Sequence, residues 1–156
     1  SGNTMKRVLA GGFYVGAKST CNFAEYAGLE IGLRKVLKLS IKYDEVIVRG
    51  DSRLVVEQVF GTWKCNHEHL RKIRDACKLH LCDFASRSIR VRGEHVYREH
   101  NVDADVLANN AVTRKANFTD IGDDLPAPKL IARARPPPTT KTVIQKKKRF
   151  WKRKRR

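Results

Sequence analysis

The chain has 156 residues, with 33 Lys and Arg against 16 Asp and Glu, a formal net charge of +17. That length suits one domain with a tail and a single core, and 41% hydrophobic residues exclude wholesale disorder. No apolar run approaches the roughly 18 residues of a membrane-spanning helix, and the charge favours a polyanionic partner, nucleic acid first, over a neutral small molecule.

In chain order, Met5 to Ala17 reads as a strand on its β-formers Val8, Phe13, Tyr14 and Val15, bent or bulged at Gly11-Gly12. Ala24 to Leu39 reads as a helix, with Leu29, Leu33, Val36 and Leu37 on one face and Asn22 as N-cap. Glu45 to Arg49 holds three consecutive β-branched residues and predicts a short strand buried on both faces. A helix follows from Ser52 to Phe60, broken by Gly61, and a third runs from Asn66 to Phe84 on Leu70, Ile73, Cys77, Leu81 and Phe84. Ser88 to Arg98 contains a strand, and Asp103 to Ala116 closes the body as a helix. The order βα βα α βα predicts an α/β domain with part of its sheet parallel.

The body is expected to span residues 1–124, and residues 125–156 form a Pro-containing linker and basic tail. From Pro126 to Arg156 there are 13 Lys or Arg and no acid, which leaves residues 1–125 with a net charge of only +4. Prolines at 126, 128 and 136 to 138 oppose helix. Within the tail, Lys146, Lys147, Lys148, Arg149, Lys152 and Arg153 suit phosphates, and Phe150 and Trp151 suit stacking on bases. A nuclear localisation signal is the alternative for the same run. An anionic membrane would also attract it, but no lipidation motif or long amphipathic helix accompanies it. Four cysteines without CxxC spacing and the polar start at Ser1 suggest a reduced, intracellular protein without a signal peptide.

Three acids fall where an α/β fold presents its chemistry. Asp51 follows the short strand, Glu25 begins the first helix and Asp105 begins the last. Carboxylates converging on element ends can hold paired Mg²⁺ for phosphodiester chemistry, while acids at helix N-termini also simply stabilise the helix dipole. Cys65, His67 and His69 form a Cys-x-His-x-His run without zinc-finger spacing. Arg71, Lys72, Arg74 and Lys78 form either a basic handle or a solvated helix face.

Three segments sharpen this. Asn22-Phe23-Ala24-Glu25-Tyr26-Ala27-Gly28-Leu29, then Val48-Arg49-Gly50-Asp51-Ser52-Arg53-Leu54-Val55, then His95 through Asn101 and on through Asp105 to Ala111 occur in order. Together they resemble type 1 ribonuclease H in its reverse-transcriptase-like branch, over roughly Met5 to Ala116. The resemblance implies a mixed sheet with flanking helices and Mg-dependent cleavage of the RNA strand of an RNA:DNA hybrid. It matches Glu25, Asp51 and Asp105 to metal-binding carboxylates. It also places Asn22 against the hybrid's backbone and Arg98 and Asn101 near the scissile phosphate, with His100 a weaker match to a mobile basic residue. Ser52 is a further candidate contact with nucleic acid, and Trp63 is either a packing or a backbone-contacting side chain beside the groove.

The family opens with a hairpin whose first strand carries an aspartate ligand. Here no aspartate precedes Asp44, and the first two strands are missing from the pattern. The expectation is therefore a nucleic-acid-binding protein that does not cleave as this chain, an RNA-binding subunit of a ribonucleoprotein such as a ribosome. Its compartment would be the nucleus or a ribonucleoprotein setting in mitochondrion or cytoplasm. Other chains could supply the strands, and neither a membrane nor a small-molecule substrate is expected. The alternative is an active hybrid ribonuclease whose first aspartate lies outside these residues.

Overall fold

The computed structural model describes residues 5–122 and 125–131. Nine elements follow one another. They are strand β1 (Leu9–Gly12), helix α1 (Cys21–Val36), strand β2 (Glu45–Gly50), helices α2 (Arg53–Val59) and α3 (Glu68–Ser86), strand β3 (Arg90–His95), a 3-10 turn (Arg98–His100), helix α4 (Val102–Arg114) and strand β4 (Phe118–Ile121). The expected helices are all present, with ends shifted by a few residues, as fraying ends generally are.

The main core lies between α1, α2 and α3 and one face of β2 and β3. Tyr26 and Leu33 of α1, Val55 and Val59 of α2, and Leu70, Cys77 and Phe84 of α3 are buried there, joined by Cys65. The α3 residues recur every seven positions, so one stripe of the helix faces inward, as the heptad-like spacing predicts. Burial and the neighbouring Glu30 charge push the Cys77 thiol up to about 12, so it is an inert packing group. Gln58 is buried among these apolar groups and is fully used: its side chain accepts from the Tyr26 hydroxyl and donates to the Lys64 carbonyl at 2.8 Å.

β2 and β3 pair in parallel, from Glu45 opposite Arg90 to Gly50 opposite His95. The expectation that β2 is buried on both faces is wrong. Its residues alternate, with Val46 and Val48 turned to the core and Glu45, Ile47 and Arg49 exposed. The outer face is instead laced by ion pairs, Arg49 with Glu94 at 2.9 Å and Arg92 with Glu45 at 3.4 Å.

β1 pairs antiparallel with β4, Leu9 opposite Ile121 and Gly12 opposite Phe118. Gly11 and Gly12 sit in regular register, with no bulge, and the strand ends at Gly12 rather than running to Ala17. The close approach of α4 explains the second glycine: a Cβ there would lie 2.3 Å from the Leu107 carbonyl oxygen. β4 lies beyond the last element expected from the sequence. Among the described residues no strand joins β1–β4 to β2–β3, so the mixed sheet is in two two-stranded parts, with the gap where the hairpin missing from the sequence pattern would lie. No helix among the described residues is long and apolar enough to cross a membrane.

Contacts with the body continue beyond residue 124. Leu125 donates its N–H to the Arg7 carbonyl, and Lys129 and Ile131 bond the side chain of Asn110.

Candidate functional site

Asp51 is placed by the end of β2. The β2–β3 ladder continues one step past Gly50, whose carbonyl accepts from Val96 at 3.0 Å, and the chain then turns into α2. Ser52 is the N-cap of α2, its hydroxyl accepting from Val55 N–H at 3.4 Å. Asp51 is thus held between a strand end and a capped helix start, the C-terminal edge at which α/β sheets place their ligands.

Glu25 lies in the second turn of α1. The cap of that helix is Thr20, whose side chain accepts from Phe23 N–H at 3.2 Å, and not Asn22. Both residue types cap well; a turn at Gly16, with φ +96°, starts the helix one residue ahead of Asn22. Asn22 is left exposed on the first turn of α1. Asp105 lies in the first turn of α4.

These three acids come under one another's charge. Glu25 keeps contact with solvent, yet its carboxyl is held above the usual range. Lost hydration is the largest cause, Asp51 adds to it, Arg98 opposes it and Asp105 adds further. Arg98, on the 3-10 turn ahead of α4, donates to Asp105 Oδ1 at 2.7 Å and is held charged by that bond and by the fields of Asp105, Asp51 and Glu25. Asn101 reaches from the start of α4 and donates to Asp51 Oδ1 at 3.1 Å. Asn109 donates to Asp105 Oδ2 at 3.2 Å, a site residue that the sequence reading missed although it lies one helical turn beyond Asp105. His100 is exposed on the same 3-10 turn.

The donor set decides whether a metal pair suits this site. Of the three carboxylates, Asp105 is neutralised by Arg98 and Asp51 is bonded by Asn101. Among the described residues no three His, Cys, Asp or Glu gather into a group that could hold a metal ion. As they stand, these residues do not fit a pair of divalent cations. The same holds for zinc at Cys65, His67 and His69: Cys65 is buried with its thiol turned to the His67 carbonyl, and the two imidazoles lie 5.9 Å apart at the surface.

The body also exposes further groups suited to nucleic acid. Trp63 is 47% exposed on the loop after α2, with the Arg53 guanidinium 5.8 Å from its ring centroid. On α3, Arg74 is engaged by Asp75 at 2.6 Å, while Lys72 and Lys78 are exposed. The expected tail contacts, Lys146 to Arg149, Phe150, Trp151, Lys152 and Arg153, lie outside the described residues.

The raised Glu25 carboxyl has a thermodynamic consequence. A carboxyl that binds its proton more tightly when folded stabilises the fold below its unfolded value, and that contribution is lost as pH rises through the folded value. Glutamine mimics the protonated form. Glu25→Gln is therefore expected to raise the melting temperature modestly at pH 7 and to leave it unchanged near pH 4, as read by paired thermal melts.

Comparison with known proteins gives a consistent result. Residues 4–111 match the family model described as reverse transcriptase-like. The bifunctional protein Rv2228c of Mycobacterium tuberculosis is 40% identical over 99 residues, 64% of this chain and 26% of that protein. Ribonuclease HI of Halobacterium salinarum is 37% identical over 105 residues, 67% of this chain and 49% of that protein. The chain thus spans half or less of the length of these curated relatives. Among solved structures, the N-terminal RNase H domain of Rv2228c, fused to maltose-binding protein, superposes with a TM-score of 0.54 at 41% identity, covering 62% of this chain and 65% of that one. RNase H1 of Halobacterium salinarum gives 0.53 at 33% identity, covering 62% and 68%.

Proposed function

The chain belongs to the reverse-transcriptase-like family and has a ribonuclease H-type domain, and from that premise we propose that its body binds RNA:DNA hybrids across the surface that Glu25, Asp51 and Asp105 share. The observation that carries this reading is the pairing of Arg98 with Asp105 and of Asn101 with Asp51. It sets a cation and an amide donor among three acids at the end of a strand. The Arg98 side chain is 74% exposed, so its guanidinium can meet a phosphate from solvent while it stays on Asp105. Asn22 and Trp63 are the groups assigned to the nucleic-acid backbone.

Binding without strand cleavage is the reading for residues 1–156. A divalent cation such as Mg²⁺ would supply charge neutralisation between carboxylates and phosphate, and the three acids do not fit a pair of them. Cleavage of the RNA strand is the second reading. Similarity to a ribonuclease HI and to an RNase H domain favours it, and it needs a further carboxylate beside the three. A finer role, as an RNA-binding subunit of a ribonucleoprotein such as a ribosome, draws only on the charge of residues 126–156.

The test is a titration of one sequence as RNA:DNA hybrid and as DNA duplex, with the hybrid samples also incubated with Mg²⁺ and resolved on a gel. Tighter binding of the hybrid without cleavage is expected. Mg²⁺-dependent cleavage abolished by Asp51→Asn would overturn the non-cleaving half of the proposal.

A further inference from the structure

Asn110, on α4, is 5% exposed, and both ends of its amide are used on backbone far along the chain. Its Nδ2 donates to the Lys129 carbonyl at 2.9 Å, and its Oδ1 accepts from the Ile131 N–H at 2.8 Å. This is the pattern that a neighbouring strand would offer an extended segment. At the other end of the segment, the Arg7 guanidinium donates to the Leu125 carbonyl at 3.0 Å and also pairs with Asp103 in the first turn of α4. Residues 125–131 are therefore fastened at both ends, to the chain entering β1 and to the middle of α4.

We infer that residues 125–131 are a strap that locks α4 onto β1, and that Asn110, as its anchor, is a positioning residue for Asp105 and Asn101. The division of the fold makes this matter. Glu25 and Asp51 sit on elements of the main core, whereas α4, which carries Asp105, finds its substantial packing partner in β1. The β1–β4–α4 layer contributes Ala10 and Ala111 as buried apolar residues, a small area with which to hold a helix in place. One of its ties to α1 is the hydrogen bond from Lys35 to Thr119 at 3.3 Å. An amide buried with both ends satisfied is well suited to the task. Any slip of the strap would leave a donor and an acceptor unpaired away from water.

Amide exchange and NMR of the full chain test this without reference to activity. In Asn110→Ala the Ile131 and Leu125 amides should lose protection about tenfold or more, and exchange through α4 should rise while α3 is unchanged. The Arg98 Nε–H and Asn101 side-chain resonances should shift, a response that a tie-down of the tail alone would not give. Asn110→Asp keeps the acceptor for Ile131 and loses the donor to Lys129, so it should fall between. If Asn110→Ala does not fold, Arg7→Ala removes the guanidinium bonds to the Leu125 carbonyl and to Asp103 but keeps the backbone bond from the Leu125 N–H. It should likewise lower Ile131 protection, raise exchange through α4 and shift the Arg98 and Asn101 resonances. Unchanged Ile131 protection would overturn the inference, as would lost protection with α4, Arg98 and Asn101 undisturbed. A further arm rests on the hybrid-binding reading: there the alanine variant should bind hybrid severalfold more weakly. Should the unaltered chain bind no hybrid, that reading fails while the exchange and resonance arms still decide this one.

Discussion

Removing residues 136–156 is expected to weaken binding to single-stranded RNA and to flatten its salt dependence while the body stays folded. The deleted segment carries 10 Lys or Arg and no acid. Each phosphate contact with a single strand contributes roughly −0.7 to the slope of log K against log salt, through counterion release. If half of those bases contact phosphate, the slope changes by about 3.5, and between 50 and 200 mM salt the full chain loses about a hundredfold more affinity than the truncated one. Phe150→Ala with Trp151→Ala should lower affinity by about 1–3 kcal/mol for each base that stacks, without moving the slope. Equal affinities and equal slopes with and without the segment would make it an address signal or a protein-docking arm, and would remove the support for a ribonucleoprotein role.

The second large effect concerns stability. Phe84 is fully buried in the core with Tyr26 and Cys77, and Phe84→Ala removes its packing and leaves a cavity, at a cost of about 3–5 kcal/mol. Domains of this size are stable by about 5–15 kcal/mol in all, so the variant should unfold at a much lower urea midpoint. Leu79 on the same helix is 67% exposed, and Leu79→Ala should stay within about 0.5 kcal/mol. A Phe84 variant as stable as the Leu79 variant would place the core elsewhere.

Much of the architecture is legible in the residues, and the failures have physical causes. α3 announces itself because Leu70, Cys77 and Phe84 recur at whole heptads, a pattern that only a one-sided helix satisfies. β2 was visible as Val46-Ile47-Val48, but the flanking Glu45 and Arg49 carried the alternation that makes one face outward, and a run of three β-branched residues hides it. β4 went unseen because Phe118 to Ile121 is short, includes Asp120, and gains its pairing from β1 more than a hundred residues away. The acids, with Arg98 and Asn101, were legible through motif order rather than periodicity. The strap was not legible at all. Asn110 bonds main-chain atoms of Lys129 and Ile131, and backbone partners leave no mark in the identity of the residues that supply them.

Recognition of a hybrid by the folded body at its acid-lined surface is best isolated with the tail out of the way. Phosphate neutralisation by a basic tail is indifferent to duplex type and would mask the body's preference. The decisive measurement is a fluorescence-anisotropy titration of residues 1–135 with an RNA:DNA hybrid and with DNA duplex of the same sequence, at matched salt. A surface that reads the 2′-hydroxyls and groove shape of one strand should bind the hybrid about tenfold or more tightly, and Arg98→Ala should erase most of that difference. Equal affinity for the two duplexes would contradict the account.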